Sequence, residues 1–152
     1  MMEQYVGTEI IEAEVMSRGD YNKYRGWDIP ENENPEDVGY LVSYPGNYET
    51  WLLASVFDEI YHYANKMTFG QAIDLVKLGY KVKRKGWNGQ NQYIQLATNI
   101  SYKTRRGDIV NCEHECFGNK AVAFVGSQGV QLGWCASQAD LLSEDWEIVG
   151  FE

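Results

Sequence analysis

The chain has 152 residues, of which 44% are hydrophobic, and a formal net charge of −9 at pH 7. That length suits one domain or two very small ones, and that composition excludes a disordered chain. The acid excess excludes extended nucleic acid as a partner of the whole protein, and no apolar run approaches the roughly 20 residues needed to cross a bilayer.

The N-terminal stretch MMEQYVGTEI has neither a basic n-region nor an apolar h-region, so no signal peptide is expected and the cytosol is the expected compartment. Three cysteines, an odd number, fit a reducing environment better than a disulfide framework. Charge divides unevenly: residues 1–64 hold 3 Lys/Arg against 13 Asp/Glu, whereas residues 65–152 hold 10 against 9. Two modules are therefore expected, an acidic one over residues 1–65 and a near-neutral one over 66–152 with room for a small anion.

Taken in chain order, YVGTEIIEAEVM (5–16) alternates β-branched residues with acids and predicts a strand. The polar stretch 17–39 reads as loop and turns. GYLVSY (39–44) and NYETWLL (47–53), joined by Pro45-Gly46, predict a hairpin, and ASVFDEIYHYA (54–64) a short helix covering it. Thr68 and Gln71 then fit a capping box, and Phe69, Ala72, Ile73 and Val76 supply one buried helix face that Gly79 terminates.

YKVKRKGW (80–87) alternates as a strand with a cationic face, and YIQLAT (93–98), AVAFVG (121–126) and GVQLGW (129–134) are further strands, with Ser127-Gln128 as a turn. Ser137 caps a short helix in SQADLLSEDW, and WEIVGF (146–151) closes the chain as a strand. Strands outnumber helices, so the expected class is α+β: a small antiparallel sheet with a long helix and a short C-terminal helix, preceded by a β-rich N-terminal module.

Two stretches carry the chemistry. In KRKGWNGQNQY (83–93), Gly86 and Gly89 bracket Trp87-Asn88, so the backbone turns sharply beside a flat ring and an amide. Arg84 offers a bidentate partner for a phosphate. The same residues also read as a solvated surface strand whose tryptophan packs inward. In LGWCASQADLLSEDW (132–146), Ser137, Gln138 and Asp140 place polar groups at a helix start, which reads either as an anion-friendly terminus or as an ordinary cap.

Cys112, His114 and Cys116 stand two apart in NCEHEC; a zinc site wants four ligands at wider cysteine spacing, so no metal is expected and a polar loop is the simpler reading. Cys135 is a conceivable nucleophile with His62 or His114 as base, yet between Trp134 and Ala136 it reads as a small packed apolar residue. No cofactor is expected. The acidic first half reads as a solvated surface or as a mimic of nucleic acid for a basic partner.

MTFGQAIDLVKLGYKVKRKGWNGQ followed by LGWCASQADLLSEDWEIV, within residues 67–149, resembles the phage family called Thoeris anti-defence protein 2. The first half resembles a small module of other phage proteins. The family resemblance implies a protein of the host bacterial cytoplasm that is not an enzyme. It implies homotetramers that bind a cyclic ADP-ribose isomer of the glycocyclic type unaltered, in pockets between subunits, and in some members cyclic dinucleotides at separate sites. The motif falls on Trp87, Asn88 and Gly89, then on Trp134, Ser137, Gln138 and Asp140. The tryptophans would stack, Asn88 and Asp140 would hold ribose or base, and Ser137, Gln138 and Arg84 would meet the pyrophosphate, with Phe69 as pocket wall or helix core. The competing readings are an enzyme that cleaves the same ligand and an acidic interaction module.

Overall fold

In the computed structural model, residues 1–89, 91–111 and 119–150 are described. Backbone proximity groups the chain into Met1–Tyr61 and His62–Glu152. Among the described residues each unit is built on antiparallel sheet, which is the α+β class expected.

The first unit holds strands β1 (Glu12–Ser17), β2 (Val38–Tyr44) and β3 (Tyr48–Leu53), with β2 central. The predicted hairpin is present, with Tyr44 opposite Tyr48 and Gly46 and Asn47 at positive φ in its turn. Two expectations need correction. Of the predicted first strand only the part from Glu12 on is paired, and the expected loop 17–39 gives its first residue, Ser17, to that strand and contains helix α1 (Arg18–Arg25). Helix α1 has ends but no apolar stripe. The Ser17 hydroxyl accepts from the Asp20 N–H, and Gly26, at φ 73°, closes the last turn in the left-handed conformation. Its interior face is Tyr21 and Asn22, both nearly inaccessible, so hydrophobic periodicity gives no sign of it.

The Arg18 guanidinium lies 5.1 Å from the Trp51 ring centre and its Nε donates to Glu33 at 2.9 Å. Trp51 Nε1 donates to the Met16 carbonyl. On the opposite face of the sheet, Tyr40 stacks at 4.0 Å on Phe57 of helix α2 (Ala54–Ile60), which ends four residues before the predicted boundary.

The second unit holds a five-stranded sheet in the order β10-β4-β5-β8-β9. Its strands are β4 (Val82–Arg84), β5 (Tyr93–Ala97), β8 (Ala121–Gly126), β9 (Gly129–Leu132) and β10 (Trp146–Ile148). Between β5 and β8 the chain makes a separate hairpin of β6 (Ser101–Lys103) and β7 (Ile109–Asn111). Helix α3 (Phe69–Lys77) begins at the predicted capping box, the Thr68 hydroxyl accepting from the Gln71 N–H and the Gln71 amide oxygen from the Thr68 N–H. It buries Ala72, Leu75 and Val76 against Val82, Ile94 and Trp146. Helix α4 (Gln138–Leu142) packs beside α3. Met67 pairs with Trp146 along the outer edge of β10.

One contact in the first unit leaves no slack. A Cβ at Gly39 would overlap the Trp51 ring and the Leu52 carbonyl. Gly39→Ala is expected to destabilise that unit by about 3 kcal/mol, the upper part of the overpacking range. Denaturant unfolding followed by amide hydrogen exchange in β2 reads this; unchanged protection contradicts it.

Candidate functional site

The site grows from the pairing of β4 with β10. Antiparallel register sets Arg84 opposite Trp146, so the end of β4 and the segment entering β10 lie side by side. The chain then turns at Lys85-Gly86, with the Trp87 N–H donating to the Arg84 carbonyl at 3.2 Å. From the far side of the sheet, the N–H groups of Gly133 and Trp134 both donate to the Val122 carbonyl at 3.0 Å. These bonds bring Trp134 to Trp87.

Arg84 is shared between two carboxylates. Its Nε donates to Asp145 Oδ1 and its Nη1 to Asp140 Oδ1, each at 2.9 Å. Asp140 Oδ2 accepts from the Ser137 N–H at 2.9 Å and from Ser137 Oγ at 2.8 Å, while the Asp140 N–H donates back to Ser137 Oγ at 3.1 Å. This is a capping box with aspartate in the third position of the helix. Trp87 Nε1 donates to Asp140 Oδ1 at 3.4 Å and Trp146 Nε1 to the Asp140 carbonyl at 3.0 Å. Asp140 therefore accepts four bonds on its carboxylate, about its full capacity, and is only 8% exposed.

Around this hub stand four aromatic rings. Trp87 meets Trp146 at 5.4 Å, Phe124 at 5.7 Å and Trp134 at 6.1 Å, and Trp134 meets Trp146 at 6.2 Å, all edge to face. Trp146 is fully buried, whereas Trp87 and Trp134 are half-buried with part of each ring at the surface. Asn88 and Gln138 are exposed, and Gly89 lies against the Gln92 amide so closely that a Cβ would overlap it. Phe69 packs at 5.6 Å on Trp146, behind the hub.

All nine candidate residues thus belong to one unit. Arg84, Ser137 and Asp140, expected to meet phosphate, sugar or base, bond to one another, while Asn88 and Gln138 are exposed and Trp87 and Trp134 half-buried. Asp145 and Phe124 were missed. Asp145 sits beside exposed Glu144 in the sequence, and nothing in the letters separates the two acids. Cys135 is exposed, not packed; its Sγ lies 3.7 Å from the Gly133 carbonyl, and no hydrogen bond joins it to His62, also exposed. A small residue on an unpaired segment after β9 has no sheet neighbour to cover it. Cys112, His114 and Cys116 lie outside the described residues.

Burial raises the pKa of Asp140, but the Ser137 N–H, the Arg84 guanidinium, the Ser137 hydroxyl and the Trp87 N–H together outweigh it and hold the carboxyl below its ordinary value. Asp145 is likewise raised by burial and lowered more by Arg84, Ser143 and the Gly86 N–H. Arg84 is raised in turn, first by Asp145 and then by Asp140. Carboxyls depressed in the fold bind protons more weakly than in the unfolded chain, so their contribution is present above the ordinary carboxylate pKa and lost as pH falls through the lower folded values. The melting temperature of the second unit is expected to change little through this hub from neutral pH to about 5 and to fall below about 4. Arg84→Met is expected to cost roughly 3 kcal/mol at neutral pH and to move acid unfolding to higher pH. Thermal melts across a pH series check both; identical acid limbs in the two proteins contradict the assignment.

Comparison with known proteins adds a family. The model of the Thoeris anti-defense 2-like domain matches residues 67–149. "Thoeris anti-defense 2" of Bacillus phage SP01 is 35% identical over 89 residues, a match covering 55% of this chain and 96% of that protein. The matched span begins at Met67 and ends at Val149, and so takes in α3, the Arg84–Asp140–Asp145 hub and all three clustered tryptophans. The chain belongs to the Thoeris anti-defense 2-like family.

Proposed function

We propose that the second unit binds a cyclic ADP-ribose-type immune messenger, holds it unaltered, and thereby blocks Thoeris immunity in the cytoplasm of an infected bacterium. The observation that carries this reading is the pair of half-buried tryptophans, Trp87 and Trp134, set edge to face over a hub in which two carboxylates already share one guanidinium. A tryptophan ring accepts a purine by stacking. The exposed amides of Asn88 and Gln138 both donate and accept, which suits ribose hydroxyls and a base edge.

Holding fits this site better than converting. A general acid at neutral pH needs a raised pKa, and a general base needs a free lone pair near the substrate. Asp140 and Asp145 are shifted the other way, and their oxygens are occupied by donors of the protein. Trp87 and Trp134 lie at the surface, so a ligand on them is enclosed only when a second copy covers it; this favours a homo-oligomer, a tetramer on the family pattern, with pockets between subunits. Cyclic dinucleotides are a second ligand class on the same pattern, at sites of their own.

The test is recovery. Protein mixed with cyclic ADP-ribose isomers, freed of unbound ligand and heat-denatured, is expected to release the intact ring, identified by mass spectrometry; an opened product overturns the reading. Trp87→Ala is expected to weaken binding by roughly ten- to a hundredfold, the value of one stacked base, with the fold retained. Calorimetry gives the ratio, and unchanged affinity places the ligand elsewhere.

A further inference from the structure

We propose that Asp145 is a positioning residue for the ligand site, one that sets where the Trp87 ring stands without touching the ligand; the ligand half of the test rests on the function proposed above. Asp145 bonds to three consecutive residues. Its Oδ1 accepts from Arg84 Nε at 2.9 Å, its backbone carbonyl accepts from the Lys85 N–H at 3.0 Å, and its Oδ2 accepts from the Gly86 N–H at 3.1 Å. The next residue is Trp87. Every residue between the end of β4 and the indole is thus tied to one acid 59 to 61 positions further along the chain.

The fit is close on both sides. A Cβ on Gly86 would lie 3.0 Å from Asp145 Oδ2, closer than an ordinary contact, so a side chain there would press on the carboxylate. The Ser143 hydroxyl donates to Oδ1 and fixes the side chain from its own segment. Asp140 restrains the same indole from the other end, through Nε1 at 3.4 Å. One acid therefore holds the backbone that carries the ring, and the other holds the ring edge. Both pair with one guanidinium.

An asparagine at this position keeps one acceptor oxygen but turns an NH2 group toward the second donor, so Arg84 Nε and the Gly86 N–H cannot both be satisfied. The experiment labels the full chain with 5-fluorotryptophan and records 19F spectra of wild type, Asp145→Asn and Glu144→Gln, assigning Trp87 by its loss in Trp87→Phe. Asp145→Asn is expected to shift or broaden the Trp87 resonance while Trp27 and Trp51 of the first unit stay in place, and Glu144→Gln to leave all of them unchanged. The Kd for a cyclic ADP-ribose isomer is expected to rise about ten- to a hundredfold, as for a binding group displaced by roughly 1 Å.

A lower melting temperature with an unmoved Trp87 resonance and unchanged Kd means that Asp145 serves stability alone, and overturns the proposal. Should Asp145→Asn not fold, Gly86→Ala presses a methyl group on the same carboxylate oxygen and is judged by the same two readouts. A wild type that binds no cyclic nucleotide overturns the messenger-trapping reading instead, and the 19F result still decides the role of Asp145.

Discussion

One guanidinium shared between two carboxylates organises the second unit. Without Arg84, Asp140 and Asp145 would bring two negative charges to the same turn, and the segment between α4 and β10 would open to water. With it, the end of β4, the first turn of α4 and the approach to β10 are fixed to one another. Such an ion pair is weak support for stability, since desolvation cancels much of the attraction. Its value is geometric: the fork of an arginine admits few arrangements of two acids, and the one adopted joins Asp140 of α4 and Asp145 before β10 to the end of β4.

The labour is divided accordingly. Asp140 and the Trp146 ring are buried within the site, whereas Asn88, Ser137 and Gln138 are exposed. A site of this kind offers a ligand shape, stacking and directional hydrogen bonds from groups already held in place, which lowers the entropic cost of binding. Both of its acids are stabilised in their charged form by donors of the protein.

Much of this fold is written locally. Thr68 with Gln71 and Ser137 with Asp140 mark two helix starts by side chains that satisfy backbone donors three residues away. The β2–β3 hairpin follows from two apolar runs around Pro45-Gly46. Helix α1 escaped because its buried face is Tyr21 and Asn22 and its stability comes from caps and from Arg18 and Arg25 lying on aromatic rings. The candidate residues were legible as a set, since tryptophans, amides and glycines stand out by type. Their roles were not. That Arg84 and Asp140 face each other depends on a contact spanning 56 positions, and nothing short of the strand register reveals that the cation is already paired. The β6–β7 hairpin was equally hidden, its six strand residues being mostly polar and exposed.

The first unit carries ten more acids than bases over residues 1–61, and Arg18, Lys23 and Arg25 are all engaged within it, which leaves its acidic surface largely uncompensated. The binding reading proposed above rests on the second unit. The central claim is that segments separated in sequence make a single ligand surface. A double-mutant cycle on calorimetric binding of a cyclic ADP-ribose isomer, using Trp87→Ala, Trp134→Ala and the pair, tests it most directly. One surface predicts that the two losses fail to add by about 1 kcal/mol or more, as for residues in contact. Strictly additive losses, or no loss from either substitution, would contradict it.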